Sequence, residues 1–421
     1  MSISRKKFIK ITAGTTAAGL FSPLSYGNGL KGKNPDELPN MTADAKPISK
    51  EERGKRITKA QQLLAENQLE ALILDCGSSL LYFTGISWWP SERPMLAIIP
   101  VNGEISYVCP AFEEGRLKEM ITIGNKIYTW EEDESPYERV LEALESAGIR
   151  SGKIAMEESL RFFILDGIRK AAPDFEYVGD PVTKSCRLIK SDAEIALMQK
   201  ATNITMEAIK TGISQLREGM SQHDVSGIIA SAHGRMGAVH DFALVCFAQA
   251  SASPHGSILP QELKKGDIVL FDCGCRVHGY SSDVSRTIVF GAKPTKRQLE
   301  IWNLEKKAQA AGFAAVKLGA TCESVDAASR KVITDAGFGP GYQLPGLPHR
   351  TGHGIGMDGH EWGYIVKGNK QELQPGMCFS IEPTIAIPGE FGVRLEDCVY
   401  MTEEGPKWFS QPSPDIERPF G

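Results

Sequence analysis

Three carboxylates in this chain end or interrupt apolar runs, where an unpaired charge is costly. Asp272 closes Ile268-Val269-Leu270-Phe271, Glu382 follows Cys378-Phe379-Ser380-Ile381 and precedes Pro383, and Glu396 lies within Val393-Arg394-Leu395-Glu396-Asp397. An ionised carboxylate in an apolar strand needs a cationic partner or a metal. Asp283 comes eleven residues after Asp272, where the pattern returns to a strand through His278-Gly279-Tyr280. A hairpin of that span sets the two aspartates side by side, and like charges so close repel unless a cation lies between them. Taken alone, the two aspartates also read as solvated turn residues. Glu396 alone also reads as the salt-bridge partner of Arg394, because i and i+2 share a strand face.

His353 lies in Gly352-His353-Gly354-Ile355-Gly356. The glycines permit close backbone approach and let the imidazole point inward. A phosphate-binding loop is a poor match, since the strand-loop-helix context and the Lys-Ser/Thr signature are absent. Together, Asp272, Asp283, His353, Glu382 and Glu396 read as one set of hard ligands. Such a set suits two divalent cations sharing bridging carboxylates, and disfavours a thiolate zinc site. Two metals in that arrangement can make hydroxide from water at neutral pH and polarise a carbonyl. The nine cysteines, spread from Cys76 to Cys398, form no disulfide framework and read as small buried hydrophobes. Cys273 and Cys275 flank Gly274 beside Asp272, but a thiolate role there would leave the carboxylates unexplained.

A chain of 421 residues accommodates two or three domains. Its net charge of −5, without runs of like charge, argues against a nucleic-acid surface. Arg5, Lys6, Lys7 and Lys10 precede a Gly/Ala-rich apolar stretch, Ile11 to Leu24, too short to span a membrane and matching a signal-peptide core. Ser4 to Lys10 resembles a twin-arginine export motif with Lys6 in place of the second arginine. The competing reading is a basic amphipathic tail on a cytoplasmic protein. We expect a signal over 1–27, a linker over 28–48, and export to the periplasm or exterior with no stable membrane anchor.

Ser49 opens a helix as a capping box with Glu52, with Ile57, Ala60 and Leu64 on its apolar face. Apolar runs at Ala71–Leu74, Met95–Val101, Ile105–Cys109 and Lys153–Met156 alternate with helical patterns at Tyr137–Ala147 and Leu160–Ala171. This predicts an α/β domain over 49–190. A second domain, 191–421, starts at a Ser191/Glu194 capping box; further helices open at Thr295, with Gln298, and near Thr321, the last stopping at Gly337. Strands are predicted at Asp267–Cys273, Ser285–Phe290, Met377–Ile381 and Val393–Met401. All eight histidines fall between His223 and His360, which places the chemistry in the second domain.

In their order, Asp-Cys-Gly from Asp272, Ser-Asp-Val-Ser-Arg-Thr around Asp283, Gly-His-Gly-Ile-Gly…His-Glu around His353 and His360, Ser-Ile-Glu-Pro around Glu382 and Gly-Val-Arg-Leu-Glu-Asp around Glu396 resemble the motifs of the pita-bread metallopeptidases, in their aminopeptidase P and prolidase branch. The resemblance runs from Ser49 to Glu403. It implies a creatinase-like α/β N-terminal domain followed by an α+β pita-bread catalytic domain. It also implies hydrolysis of peptide bonds with proline on the leaving side, by an Xaa-Pro aminopeptidase or dipeptidase. Two divalent ions are implied, manganese first and cobalt or zinc as alternatives. Asp272 would bind one metal, His353 and Glu382 the other, and Asp283 and Glu396 would bridge. His255 would sit near the scissile bond, His349 would line the pocket as a substrate-binding residue, and His360 would contact the substrate carbonyl or oxyanion. Glu382 would also move the proton, and Arg394 would orient carboxylates and substrate. Read singly, each of these histidines is a structural, hydrogen-bonded residue more readily than a functional one.

The chain departs from the family pattern at Trp362-Gly363-Tyr364, where proline often follows His-Glu, and at Cys246 to Ser253, where a Gly/Asn-rich segment is usual. Both flank the expected substrate pocket and bear on substrate choice. Trp88 and Trp89 could reach a neighbour's site in a homodimer or higher homo-oligomer, or pack within their own domain. Two other functions compete: a metal-dependent hydrolase or lyase of a small non-peptide metabolite, and a non-catalytic binding protein. The retained ligands weigh against the second.

Overall fold

The computed structural model describes residues 37–421. The export signal expected over 1–27 lies outside them. The first described domain comprises α1 (Lys50–Glu66), β1 (Ala71–Leu74), α2 (Ser78–Thr84), β2 (Leu96–Pro100), β3 (Ser106–Pro110), α3 (Glu114–Met120), β4 (Lys126–Trp130), α4 (Pro136–Ser146), β5 (Gly152–Met156), α5 (Phe162–Ala171), β6 (Phe175–Gly179) and α6 (Val182–Arg187). Its strands form one mixed sheet in the order β4-β3-β2-β1-β5-β6. Successive side chains of β1 point to opposite faces. Leu72 and Leu74 pack with Ile57, Ala60 and Leu64 of α1, while Ala71 and Ile73 meet Val140 and Leu144 of α4 and Ile164 and Ile168 of α5. Both faces are covered, which is why β1 reads as an unbroken apolar run. The edge strands β4 and β6 are largely half-exposed and carry no such run, so the sequence did not announce them.

The second domain comprises α7 (Asp192–Ser214), α8 (Gln222–Arg235), β7 (Val239–Phe247), β8 (Ile268–Val277), β9 (Tyr280–Ser281), β10 (Val284–Val289), α9 (Lys296–Ala315), α10 (Cys322–Asp335), β11 (Gly352–Gly354), β12 (Glu361–Ile365), β13 (Cys378–Ile381), β14 (Thr384–Ala386), β15 (Gly392–Arg394), β16 (Asp397–Thr402) and β17 (Gly405–Trp408). Capping boxes at Ser191/Glu194 and Thr295/Gln298 start α7 and α9. At Ser49 half of the expected box forms. Its hydroxyl accepts from the Glu52 amide, but the Glu52 carboxylate turns to Arg56 and to Ser191 at the head of α7, a tertiary partner that outcompetes the local one.

Two antiparallel sheets carry the second domain, β10-β8-β7 with β9 beside β8, and β12-β11-β13-β16-β17. Val269, Phe271, Cys273 and Cys275 of β8 pack with Leu197, Ala201 and Ile204 of α7 and Ile229 of α8. Phe379, Ile381, Val399 and Met401 of the other sheet pack with Val325 of α10. Helices therefore cover both sheets from outside.

The strand expected over Val393–Met401 divides. β15 pairs with β14, β16 pairs with β13, and between them Glu396 bridges to Ser285 of the other sheet. One stretch of chain thus crosses between sheets, and an apolar pattern does not reveal a change of partner. The described part of the expected linker, 37–48, is docked on the second domain. The Met41 amide donates to the Met236 carbonyl at 2.9 Å, Asp44 meets Lys200 at 2.8 Å, and Ile48 is buried.

Arg286 of β10 joins the two sheets from within. Its guanidinium donates to the carbonyls of Glu396 and Gln411 at 3.0 and 2.9 Å and to the Asp397 carboxylate at 2.8 Å, and neither side chain of that pair has any exposure. Removing one partner of such a pair strands the other charge. Arg286→Ala is expected to lower the unfolding free energy by about 3–5 kcal/mol, measured by denaturant titration of the metal-free protein.

Candidate metal centre

The same period-two rule that turns Cys273 and Cys275 toward the helices turns Asp272 of β8 inward. The chain reverses through the β8–β9 hairpin at His278-Gly279, and Asp283 precedes β10, where Ser285 pairs with Asp272 and Val284 with Cys273. His353 is the middle residue of β11, held between β12 and β13. A Cβ on Gly352 would lie 1.9 Å from the Ser380 carbonyl oxygen, and one on Gly354 would lie 1.7 Å from that of Trp362. Glycine is therefore obligatory on both sides of the imidazole. Glu382 leaves β13 with its amide donating to Thr351 at 2.8 Å, and Glu396 sits at the crossing between sheets.

The five side chains converge. Donor atoms of Asp272, Asp283 and Glu396 lie within 4.8 Å of one another, as do those of His353, Glu382 and Glu396. The Nδ1–H of His353 donates to the Gly354 carbonyl at 3.2 Å, which turns Nε2 toward the carboxylates. That atom faces oxygens of Glu382 at 3.1 Å, Asp283 at 3.7 Å and Glu396 at 3.9 Å.

Burial, and then the neighbouring carboxylates, hold Asp283 and Glu396 far above the usual carboxylate range. Burial acts in the same direction on Glu382, but His353, His349 and Arg394 together outweigh it and bring that carboxyl down to about 2. Asp272 Oδ1, Asp283 Oδ1 and Glu396 Oε1 are buried without a hydrogen-bond partner. Orphaned carboxylate oxygens gathered with an imidazole in one buried cluster fit a hard divalent cation. The sulfurs do not take part: burial first, then Asp272, keeps the Cys273 thiol protonated, and Cys275 donates to the Ala201 carbonyl on the far face of the strand.

Arg394 is paired with Asp272, not with Glu396: Nη2 meets Asp272 Oδ2 at 2.6 Å, Nε donates to Ser285 Oγ at 3.1 Å, and Nη1 to the Pro254 carbonyl at 3.0 Å. His255, next to Pro254, is exposed. His349 donates through Nδ1 to the Arg350 carbonyl at 2.7 Å, and its Nε2 is buried without a partner. Burial lowers its pKa against the opposing pull of Glu382. The His360 ring stacks on that of His353 with centroids 3.8 Å apart, and its donor atoms join the cluster with Asp283 and His353. Burial, and then His353, lowers its pKa to about 4, so it is neutral near pH 7.

Other residues of the site escaped the sequence reading. Ser285 Oγ donates to Glu396 Oε2 at 2.7 Å, and Ser380 Oγ accepts from the His353 amide at 3.0 Å and donates to Glu382 at 3.3 Å. Ser380 lies two residues before Glu382 on one strand face, a signal the pattern did contain. Glu305 of α9 is wholly buried beside the Leu395 amide with neither oxygen in a hydrogen bond of normal geometry, and burial raises its pKa well above the usual range. Nothing in the sequence of α9 marks it.

Comparison with known proteins agrees with this architecture. Residues 196–403 match metallopeptidase family M24, and residues 56–189 match the creatinase/prolidase N-terminal domain. The Xaa-Pro dipeptidase of Lactobacillus delbrueckii subsp. lactis is 32% identical over 367 residues, covering 86% of this chain and 98% of that protein. The prolidase structure from Thermococcus sibiricus superposes with a TM-score of 0.79 at 30% identity, covering 85% of this chain and 97% of that one. The Xaa-Pro dipeptidase structure from Bacillus anthracis gives 0.76 at 27% identity, with 85% and 97% covered. With its inward carboxylates, its two helix-covered sheets and these relatives along nearly their whole length, the chain belongs to metallopeptidase family M24 and carries a creatinase/prolidase N-terminal domain ahead of its catalytic domain.

Proposed function

We propose that this metallopeptidase cleaves peptide bonds whose leaving nitrogen belongs to proline, with two divalent ions, manganese preferred, held by Asp272, Asp283, His353, Glu382 and Glu396. The observation that carries this reading is the convergence of the Asp272, Asp283, Glu382 and Glu396 carboxylates with His353, three of their oxygens being buried and unpartnered. The relatives named Xaa-Pro dipeptidase and prolidase support the substrate class. Asp283 and Glu396, each within reach of a second ligand group, would be shared between the two ions. When bound, the ions lower the pKa of water and polarise a carbonyl oxygen.

The chain's own residues supply the rest. Glu382 is ionised near neutrality and accepts the proton of the attacking water. Neutral His360 donates to the carbonyl oxygen as negative charge develops there. His349 Nε2, a buried acceptor without a partner, takes an N–H of the substrate. Arg394 fixes the Asp272 carboxylate and, through Pro254, the backbone next to His255; Glu382, alone or with His255, would deliver the proton it has taken to the leaving nitrogen. Proline has no amide hydrogen at the scissile bond, so the site needs no acceptor there but must protonate the departing secondary amine.

We further propose a homodimer, with Trp89 as the group that reaches the neighbouring copy; it is 84% exposed, whereas Trp88 lies under Arg116 with 4.7 Å from guanidinium to ring centre. Among the described residues no helix is long and apolar enough to cross a membrane. Export by the twin-arginine-like segment remains part of the proposal.

Purified enzyme loaded with Mn²⁺ is expected to hydrolyse Xaa-Pro dipeptides in preference to longer Xaa-Pro peptides and to Xaa-Ala controls. Turnover of the Xaa-Ala set alone would overturn the substrate reading. Asp283→Ala and Glu396→Ala are expected to abolish both bound metal, measured by elemental analysis, and turnover. Ser285→Ala should weaken metal binding about 10–100-fold, measured by competition with a chelating dye. His360→Ala should retain metal and lose about 10²–10³-fold in kcat.

A further inference from the structure

The turn that carries His360 is held by charges from outside the metal centre. Glu361, next in sequence, opens β12 opposite Gly354, and its carboxylate points away from the metal ligands. Its Oε2 meets Arg187 Nη2 at 2.6 Å and its Oε1 meets Lys190 Nζ at 2.6 Å. The side chains of Arg187, Lys190 and Glu361 are 4%, 1% and 3% exposed, so this is a buried cluster with two cations on one carboxylate. Asp358, on the same turn, takes the excess charge: Arg187 Nη2 also reaches its Oδ2 at 2.7 Å.

The first domain completes the grip. Ser78 of α2 donates to Asp358, Ser79 accepts from Arg187 Nη1 at 3.1 Å, and the Trp362 indole donates to Glu158 at 3.1 Å. Arg187 ends α6 and Lys190 follows in the connection between domains. That connection is itself stitched to the second domain by the Lys190 amide on the Gly376 carbonyl at 2.8 Å and by a bridge from Ile189 to Met377. There is no spare room: a Cβ on Gly356 would lie 2.5 Å from Glu361 Oε1 and 2.8 Å from Lys190 Cε.

The geometry points to Arg187 and Lys190 as positioning residues for His360, acting through Glu361 and Asp358, so that the connection between domains sets where the carbonyl-facing imidazole lies. The stack of His360 on His353 leaves that ring without a hydrogen-bonded anchor of its own among the described residues, and the turn on either side of it is what these charges fix. The inference rests on the proposed role of His360 toward the substrate carbonyl.

Four variants test it: Arg187→Ala, the charge-balanced Lys190→Met/Glu361→Gln, which keeps the cluster neutral if the first fails to fold, and each of these combined with His360→Ala. On Mn²⁺-loaded enzyme with an Xaa-Pro dipeptide, loss of the grip is expected to lower kcat by about 10²-fold with unchanged KM and metal content. Combined with His360→Ala, it is expected to add nothing to the loss caused by His360→Ala alone. Independent, multiplying losses or an unchanged kcat overturn the inference. Hydrogen exchange of the metal-free protein provides a readout without catalysis: the amides of 355–362 are expected to exchange faster in the variants while α7 and α9 keep their protection. Acceleration spread evenly over the chain overturns a positioning role. If the wild type does not turn over the dipeptide, the substrate reading fails, and the exchange result still decides whether the cluster holds the turn.

Discussion

Ser285 and Glu396 exchange two backbone hydrogen bonds, at 3.3 and 3.2 Å, across the gap between two antiparallel sheets. That short bridge brings a carboxylate from one sheet against the carboxylates of the other. Arg286 locks it from behind through the Glu396 carbonyl and Asp397. Arg394, two residues before Glu396, locks it from in front through Asp272 and Ser285. Both arginines belong to the protein's means of tolerating like charge: each is buried, and each satisfies several acceptors at once. A guanidinium suits this task because its planar array of donors can serve a carboxylate and carbonyls together.

Two cations of the chain do not neutralise the centre. Arg394 takes one oxygen of Asp272, and the other is left without a partner, as is one oxygen each of Asp283 and Glu396. Without a further positive charge, repulsion is relieved by keeping protons on Asp283 and Glu396, the direction in which burial and their neighbours push them. Carboxylates that hold protons and give them up to a cation make metal binding depend on pH. The two groups proposed to handle the proton and the carbonyl oxygen divide by environment. Glu382 is ionised because an imidazole faces it, and His360 is neutral because it is partly buried beside another imidazole.

Among the described residues the first domain adds nothing to the carboxylate and histidine cluster, yet it is not an appendage. Its α1 shares a core with α7, and Tyr280 of the second domain hydrogen-bonds both Arg56 and Glu194. Its α2 and α6, with the connection that follows, grip the turn beside His360. The carboxylate and histidine cluster thus lies in the second domain, while contacts from both domains hold the turn beside it.

Much was legible before any coordinates. The capping boxes at Ser191 and Thr295, the buried stripe Ile57-Ala60-Leu64 and the apolar runs of β1 and β8 are local patterns, and local patterns survive folding where burial agrees with them. The inward carboxylates were legible for a related reason, since a charge inside an apolar run announces a partner it does not name. Other features depended on residues far apart in sequence. Glu52 abandons Ser49 for Ser191, the run from Val393 changes sheets at Glu396, and β11 is a strand of three residues, two of them glycine, whose identity comes from the carbonyls pressed against it. Arg394 chooses Asp272 over the nearer-in-sequence Glu396. By itself the sequence determined which side chains could bind a cation and where helices begin, because those depend on chemical type and short-range spacing. Which oxygens stay unpaired, which histidine is neutral and which lysine and arginine hold the catalytic turn were decided by tertiary structure, because each depends on what burial leaves within hydrogen-bonding distance.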